Sequence, residues 1–302
     1  MQSAMVSTSG LRELASYFST LGVAGCDVVI LDPSPRLQFE LNGRVLRWVG
    51  RHVAVRPGAI DVVRAAETYA ACEKVIVAAE DVRYTPEAVG QLCDLLDVHE
   101  VVEPQDYLDP MPWWGGIEAG RMLIHRGIEP QPDHGATFGF RRSAVRGLRT
   151  LTPSTETQAR RLGAVGAEVF PAADVFVRRE PSPLAEWLSS RPRYAGDDFS
   201  FPFKTAFFFS LLPLLLLLAF VHVPLAGYYA GAIAFASVGL AARGRLGAAA
   251  MHFPLRACLF APLWVFERSV SVYWALFRKL RGTNEDVPRV PAPAEARERH
   301  VI

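Results

Sequence analysis

The order of apolar and polar residues divides this chain into two parts that meet near residue 203. In the first part, short apolar runs of strand length alternate with longer segments whose apolar residues recur at helical spacing. Such alternation is typical of an α/β domain with a mostly parallel sheet. The second part is apolar over long stretches. We therefore predict an α/β domain over residues 1–200, followed by segments that associate with a membrane.

The elements of the first part follow from these patterns. Helices are predicted over residues 10–21, 60–71, 86–96, 117–126 and 155–165. Strands are predicted over residues 26–31, 45–49, 51–55, 75–79, 101–102, 137–142 and 169–178. Residues 103–114 are polar, aromatic and rich in proline. They are predicted to form a loop of the kind in which binding residues tend to lie.

Two of the predicted strands end in carboxylates. The run CDVVIL ends at Asp32, with Ser34 in the following turn, and the run VIVAA ends at Glu80 and Asp81. Since ligands of open α/β sheets bind at the carboxyl ends of strands, we expect these side chains to lie at a ligand site. Carboxylates bind divalent cations, which in turn bind diphosphates. The alternative is a strand that ends in a solvated turn, before a helix that begins at Pro86.

The second part opens with a run long enough to cross a membrane twice. Between Thr205 and Ala242 the sequence contains no Asp, Glu, Lys or Arg, and about 20 helical residues span a bilayer. Two spans are predicted, over residues 205–221 and 225–242, within a hairpin segment of residues 201–245. A buried hairpin of a soluble protein is the alternative, which the length of the run disfavours.

Basic residues flank this hairpin on both sides. Arg191, Arg193 and Lys204 precede the first span, and Arg243 and Arg245 follow the second. Because positive charge is retained on the cytoplasmic side of a membrane, we expect the α/β domain and both termini in the cytoplasm. The chain is thus predicted to be a multi-pass protein of the cytoplasmic (inner) membrane.

Residues 250–281 differ from the hairpin, because they combine apolar and aromatic residues with the charges of Glu267 and Arg268 near the middle. Charges there disfavour a further span. We predict an amphipathic helix at the membrane surface, with basic residues at the lipid headgroups. The tail over residues 282–302 is rich in proline and charge and is predicted to be disordered.

Composition narrows the possible functions. The 302 residues carry a net charge of +1, so no overall field favours binding to nucleic acid. The four cysteines are widely spaced and include no CxxC pair. This pattern is typical of small buried thiols in a reducing compartment rather than of disulfides or a zinc site.

Several short sequences, taken together in their order, resemble bacterial membrane-associated family 2 glycosyltransferases over roughly residues 10 to 282. They are Asp32-Pro33-Ser34-Pro35, Ala79-Glu80-Asp81-Val82-Arg83-Tyr84, Pro104-Gln105-Asp106-Tyr107, Pro112-Trp113, GATFGFRR at residues 135–142, Phe176-Val177-Arg178-Arg179, Ala261-Pro262-Leu263-Trp264 and Glu267-Arg268. The resemblance implies a GT-A fold, which is a Rossmann-like sheet domain, and a nucleotide-sugar donor.

The resemblance also implies roles for the carboxylates at the strand ends. Asp32, together with Ser34, corresponds to the family's nucleotide contact. The family's aspartate triplet corresponds to Ala79, Glu80 and Asp81. It implies that Asp81 binds a divalent metal, Mg or Mn, and that Glu80 lies at the nucleotide. Ala79 departs from the family, whose first residue of the triplet is an acid.

The sequence also departs from the family at the general base and at a lysine. Its catalytic acid corresponds to Ser154-Thr155, so Glu156 and Asp133 are the candidates that would take a proton from the acceptor hydroxyl. Its Asn-Gly-Lys corresponds to Pro57-Gly58-Ala59.

Three other residues are candidates for binding the diphosphate or the acceptor. Arg191 and Arg193 lie where the family has a Gln/Arg-rich motif beside the membrane. They either bind phosphate or only form the basic flank of the hairpin. Trp113 either stacks on a sugar or packs within its own loop.

The resemblance therefore predicts a membrane-bound glycosyltransferase with a lipid-linked or envelope-glycan acceptor. In an inverting transfer, the acceptor hydroxyl attacks the anomeric carbon while a metal and basic residues stabilise the departing diphosphate. The alternative is a catalytically silent relative that serves as a membrane partner or scaffold for an active enzyme. A transporter is disfavoured, since the apolar segments lack charges that would line a substrate path.

Overall fold

The structure is a computed structural model that describes residues 8–55, 62–129, 137–146, 162–163, 166–197, 199 and 202–281. Its strands are β1 Val29–Asp32, β2 Arg51–Ala54, β3 Lys74–Ala78, β4 Val82–Arg83, β5 Val101–Leu108, β6 Thr137–Arg141 and β7 Val169–Arg179. Its helices are α1 Thr8–Val23, α2 Arg36–Leu46, α3 Val62–Tyr69, α4 Pro86–Leu95, α5 Gly115–Ile128, α6 Arg142–Val145, α7 Leu184–Asp197, α8 Pro202–Val221, α9 Val223–Gly244, α10 Ala249–His252 and α11 Arg256–Leu280.

The strands form a two-stranded sheet of β1 and β2 and a five-stranded sheet in the order β3-β6-β5-β7-β4. Pairing is parallel between β1 and β2 and between β5 and β7, and antiparallel in the other three pairs. The predicted α/β class is confirmed, whereas the five-stranded sheet is mixed rather than mostly parallel. Between β3 and β4 the chain turns within a few residues, with the Val82 N–H donating to the Ala79 carbonyl at 3.1 Å. This connection is too short for the crossover that successive parallel strands need.

Three strands of the five-stranded sheet nevertheless run in one direction. Both β3 and β5 are antiparallel to β6, and β7 is parallel to β5. The carboxyl ends of β3, β5 and β7 therefore lie at the same edge of the sheet. This edge, named the charged edge here, carries Asp81 just after β3, Asp106 near the end of β5 and Arg179 at the end of β7.

Apolar side chains cover both faces of the five-stranded sheet. Val101 packs with Val63 of α3 and Phe138 of β6 on one face, whereas Val102 packs with Leu92 of α4 on the other. Since neighbouring strand residues point to opposite faces, burial on both sides explains why the strands read as continuous apolar runs.

Two local predictions were wrong. The predicted strand 45–49 begins inside α2, because Leu46 is buried on the helix face, and only residues 51–54 form a strand. The predicted loop 103–114 begins inside β5, which continues through Leu108 because β7 pairs with it along its whole length. The predicted helix 155–165 lies outside the described residues, apart from 162–163.

Helix α5 connects the sheet to the C-terminal helices. It packs against both α9 and α11 in one apolar cluster that includes Leu123, Ala241 and Trp264. The contact is so close that a Cβ atom on Gly127 would lie 2.1 Å from the Leu240 carbonyl oxygen. The backbones of α5 and α9 therefore touch.

Two C-terminal helices are long and apolar enough to cross a membrane, namely Phe203–Val221 and Val223–Gly244, with mean hydropathy of 2.1 and 1.5. Only 11% and 17% of their most apolar windows are buried within the protein. A core helix of a soluble protein would be mostly buried. Both helices therefore present an apolar surface to their surroundings.

Helix α11 has one apolar exposed stripe and two buried polar residues, Arg268 and Ser269. The exposed stripe follows helical spacing and consists of Leu259, Leu263, Val270, Trp274 and Phe277. Arg268 faces inward and is only 3% exposed, so the charges near the middle of this helix do not interrupt its outer apolar surface. The domain boundaries and the interfacial position of this helix stay predictions.

Candidate functional site

The carboxylate of Asp32, the last residue of β1, is held by groups from the following turn, from α2 and from β2. The backbone N–H of Ser34 donates to Asp32 Oδ1 at 2.8 Å, and the Asn42 side chain donates to Oδ2 at 2.9 Å. The Nε2 atom of His52 lies 2.9 Å from the same Oδ2. Burial acts to raise the pKa of Asp32, but the hydrogen bonds from Ser34, Asn42 and His52 outweigh it and leave the pKa lowered.

His52 joins this cluster from β2, the strand parallel to β1. Its ring stacks on Phe39 of α2 with centroids 4.1 Å apart. An open cleft of about 530 Å³ lies beside them. It is lined by Phe39, Glu40, Gly43, Arg44, Arg47, Gly50, Arg51 and His52. Asp32 itself is 7% exposed, so as folded it organises the β1–β2 sheet.

The second carboxylate, Asp81, lies at the charged edge and is held by Arg179. The Arg179 Nε atom is 2.7 Å from Asp81 Oδ2, and Arg179 Nη1 is 3.2 Å from Asp106 Oδ2. The Glu180 backbone N–H donates to the Asp81 carbonyl at 2.8 Å. Asp81 is thus fixed by its backbone and its side chain, and one guanidinium joins two carboxylates.

Asp106 is a site residue that the sequence analysis quoted but did not assign to the site. It lies in β5 with its side chain 2% exposed, beside the buried Glu103 and Gln105. Burial raises the pKa of Asp106, although Arg179 and Arg121 act in the opposite direction. The signal in the sequence was a run of polar residues directly after an apolar strand, which is more typical of a loop.

Glu80 is exposed and does not belong to the Arg179 cluster. Partial burial, followed by repulsion from the charges of Asp81 and Glu186, raises the pKa of its side chain. Its predicted place at the nucleotide stays a prediction.

Arg191 lies in an internal ion network between α7, α5 and α11. Its Nη1 atom is 3.0 Å from Glu118 Oε2, and its Nε is 4.0 Å from Glu267 Oε1. Arg121 donates to the other oxygen of Glu118 at 2.8 Å. Burial acts to raise the pKa of Glu118, but Arg121 and Arg191 outweigh it and hold that pKa well below its usual range. Arg191 is 4% exposed, so as folded it holds these helices together.

The remaining predicted residues are only partly described. Trp113 is 68% exposed in the link between β5 and α5, where a planar ligand has access to it. Arg193 belongs to α7, but its side chain is not described. Glu156 and Asp133, the candidate bases, lie outside the described residues.

A divalent metal does not fit the charged edge as folded. Among the residues that the structure describes, no three His, Cys, Asp or Glu side chains form a group that could hold a metal ion. Asp81 Oδ2 is already bound by Arg179, and Asp81 Oδ1 is buried without a hydrogen-bond partner. A hydrated cation, or one that carries a phosphate, cannot reach that enclosed oxygen without rearrangement.

The two strand-end carboxylates, Asp32 and Asp81, thus lie in separate clusters. Asp81, Asp106 and Arg179 come together at the charged edge, whereas Asp32 and Ser34 form the other cluster with Asn42 and His52. The hydrogen bonds of each carboxylate stay within its own cluster.

Comparison with known proteins leaves the family open. No protein-family description matches the chain, and no curated protein matches it. Among solved structures, the mannosyltransferase PcManGT from Pyrobaculum calidifontis in complex with GDP-Man and Mn²⁺ is similar at 17% identity and a TM-score of 0.46. The match covers 89% of this chain and 84% of that chain. A likeness of this strength establishes neither a shared fold nor a shared ligand, and the assignments that follow depend on the chain's own residues.

Proposed function

We propose that this chain is a membrane-associated glycosyltransferase that moves a sugar from a nucleotide-sugar donor to a lipid-linked or envelope-glycan acceptor. The observation that carries the proposal is the charged edge, where three strands that run in one direction bring Asp81, Asp106 and Arg179 together. Ligands of α/β sheets bind at such strand ends, and a guanidinium recognises phosphate oxygens well.

The proposed reaction is an inverting substitution at the anomeric carbon. The acceptor hydroxyl forms a bond to that carbon, the bond to the diphosphate oxygen breaks, and a base takes the hydroxyl proton. The diphosphate departs with its negative charge, which fixed positive groups at the site stabilise. Glu156 and Asp133 stay the predicted bases. The predicted dependence on Mg or Mn is tested together with the donor.

The membrane part of the proposal is supported by the helices Phe203–Val221 and Val223–Gly244. Their apolar side chains face outward, for example Phe220 and Phe235, which are 91% and 83% exposed. Because α5 packs directly on α9, the charged edge and these helices belong to one packed body. A lipid-linked acceptor is the substrate class that such an arrangement would serve.

The test measures sugar transfer by the full chain in lipid nanodiscs. Radiolabelled UDP-glucose, UDP-N-acetylglucosamine and GDP-mannose are supplied with total bacterial lipid extract, with Mn²⁺ or with EDTA. We expect label in the lipid fraction, and a loss of at least about tenfold in transfer rate for Asp81→Asn, because Arg179 loses the partner that orients it.

The matched control is Asp97→Asn. This variant also removes one carboxylate from an ion pair, since Asp97 lies 2.7 Å from Lys74, but the pair is at the opposite end of β3. It should transfer sugar at the rate of the unmodified chain. Equal losses in both variants would point to general destabilisation rather than to a site at Asp81.

A catalytically silent membrane partner is the second candidate function. Two observations favour it, namely Ala79 in place of the family's first acid and the absence of a metal-binding group among the described residues. Donor binding without transfer to any lipid or glycan fraction would favour this function over the enzyme.

A further inference from the structure

The geometry at the charged edge points to an arginine in the role that a divalent cation has in related chemistry. We propose that Arg179 supplies the fixed positive charge at this edge, so that the donor diphosphate binds without a metal. The inference rests on the proposed function, because it concerns the same donor.

The position of the guanidinium is the first argument. Its Nε atom binds Asp81 and its Nη1 atom binds Asp106. These two nitrogens lie on different edges of the planar group, so the guanidinium lies between the carboxylates. A cation that bridged Asp81 and Asp106 would have to displace it.

The number of carboxylates at the charged edge does not by itself exclude a divalent cation. Mg²⁺ is often held by one or two carboxylates together with substrate phosphates, so Asp81 alone would suffice if its oxygens were open. The Asp81 side chain is 25% exposed, but its Oδ2 is already bound by Arg179 and its Oδ1 is buried, as is Oδ1 of Asp106. A dication would therefore have to take Oδ2 from Arg179.

The accessibility of Arg179 is the third argument. Its side chain is 23% exposed, whereas that of Asp106 is 2% exposed. The buried Asp106 carboxylate therefore lies behind the guanidinium, and a ligand that approaches the edge meets the guanidinium together with the Asp81 side chain, which is 25% exposed. Asp81 and Asp106 orient it from two sides, which is the arrangement of a positioned binding group rather than of a mobile surface side chain.

The strand framework supports the same assignment. Arg179 is the last residue of β7, between β5 on one side and β4 on the other, with Leu108 and Val82 as its register partners. Hydrogen bonds to both neighbours fix its backbone. The charge is thus held at a constant place, as preorganised stabilisation of a leaving diphosphate requires.

The first experiment measures donor binding by calorimetry for the full chain in nanodiscs. UDP-glucose and GDP-mannose are titrated in EDTA and in 1 mM Mn²⁺, a concentration of roughly the size used to saturate sites of this class. We expect dissociation constants for the unmodified chain that agree within about twofold in the two conditions. Binding that occurs only with Mn²⁺ would overturn the inference and leave the proposed function standing.

The decisive variant is Arg179→Met, which removes the charge and keeps much of the volume. It should weaken donor binding in EDTA at least tenfold, a loss of about 1.4 kcal/mol. Because Asp81 and Asp106 then lack a counter-ion, Mn²⁺ should restore part of the affinity. Arg178→Met is the matched control, since Arg178 is the neighbouring arginine, is 41% exposed and pairs with Asp109. It should leave both affinities unchanged.

The second experiment needs no donor. Binding of Mn²⁺ alone is followed by electron paramagnetic resonance. We expect no site that depends on Asp81 in the unmodified chain, and one new site in Arg179→Met that disappears in the Arg179→Met, Asp81→Asn double variant. A Mn²⁺ site in the unmodified chain that is lost in Asp81→Asn would contradict the inference. If no donor binds in any condition, the proposed function fails, while this metal measurement still decides what Asp81 binds.

Discussion

At the scale of one residue, Asp32 shows how hydrogen bonds keep a buried carboxylate ionised. Its folded pKa is lowered by Ser34, Asn42 and His52 despite burial. A carboxylate with a lowered folded pKa stabilises the protein above its unfolded pKa, near 3.8, and this contribution is lost as the pH falls through the folded pKa.

We therefore expect Asp32→Asn to lower the free energy of unfolding at pH 7 by about 1.5–3 kcal/mol, the usual contribution of hydrogen bonds to a charged group. The difference in the free energy of unfolding between this variant and the unmodified chain should become smaller below about pH 4. Thermal unfolding in nanodiscs at several pH values measures it. A difference that stays constant across this range would show that the charge of Asp32 is not the cause.

Glu118 gives a second prediction at this scale, because it is the shared partner of Arg121 and Arg191. Glu118→Gln removes the carboxylate that two largely buried arginines share and should cost about 3–5 kcal/mol of stability. The matched control is Glu40→Gln at the exposed pair with Arg36, which should cost no more than about 1 kcal/mol. Equal losses of melting temperature in the two variants would argue against a buried network.

The sequence identifies some site residues and not others. Asp81 is predictable, because an apolar strand that ends in an acid places that acid at a sheet edge. Its partner Arg179 is not, because the two residues are 98 positions apart and only the pairing of β4 with β7 brings them together. Ala79 marks a departure from the family's aspartate triplet, but the sequence did not indicate that Arg179 would lie beside Asp81.

At the scale of the element, β5 and α5 depart most from what their composition indicates. The polar residues of β5 form a strand because β7 pairs with β5 from Val101 through Leu108, and this tertiary pairing overrides their low strand propensity. In α5, glycines are unfavourable for an isolated helix. Only the close packing of other helices against α5 explains these glycines. The local sequence pattern does not show which helices those are.

The close packing of α5 predicts opposite effects of the same substitution at two glycines. Gly127→Ala would place a methyl group 2.1 Å from the Leu240 carbonyl oxygen and must separate α5 from α9. Gly90→Ala in α4 meets no atom within 4 Å and should stabilise the chain by about 0.5–1 kcal/mol. We expect Gly127→Ala to lower the melting temperature and Gly90→Ala to raise it. A raised melting temperature in both variants would mean that α5 and α9 are not in backbone contact.

At the scale of the whole molecule, the division into an α/β part and an apolar part was predictable. Hydrophobic periodicity is averaged over many residues, so single exceptions do not change it. The mixed order of the five-stranded sheet was not, since strand order depends on contacts between distant segments. The membrane orientation stays a prediction from the basic flanks of the apolar helices.

That orientation predicts a labelling pattern. If the two apolar helices form a hairpin across the membrane, His222 at the turn between them lies on the far side from the sheet. We expect His222→Cys to react with a membrane-impermeant maleimide on intact cells. The native Cys72, which is exposed, should react only after the cells are opened. Equal reactivity of both positions on intact cells would contradict the predicted topology.

The backbone contact between Gly127 and Leu240 also fixes the distance between the end of β5 and the apolar helices. Helices that touch along their backbones cannot slide past each other, so the carboxyl end of β5 stands at a constant height above the apolar helices. If the chain transfers a sugar to a lipid as proposed, this height sets the distance between the charged edge and the bilayer. We expect a lipid acceptor to be selected by the spacer between its chain and its hydroxyl as well as by its chemistry, and a set of synthetic acceptors of graded spacer length should show a single optimum in transfer rate.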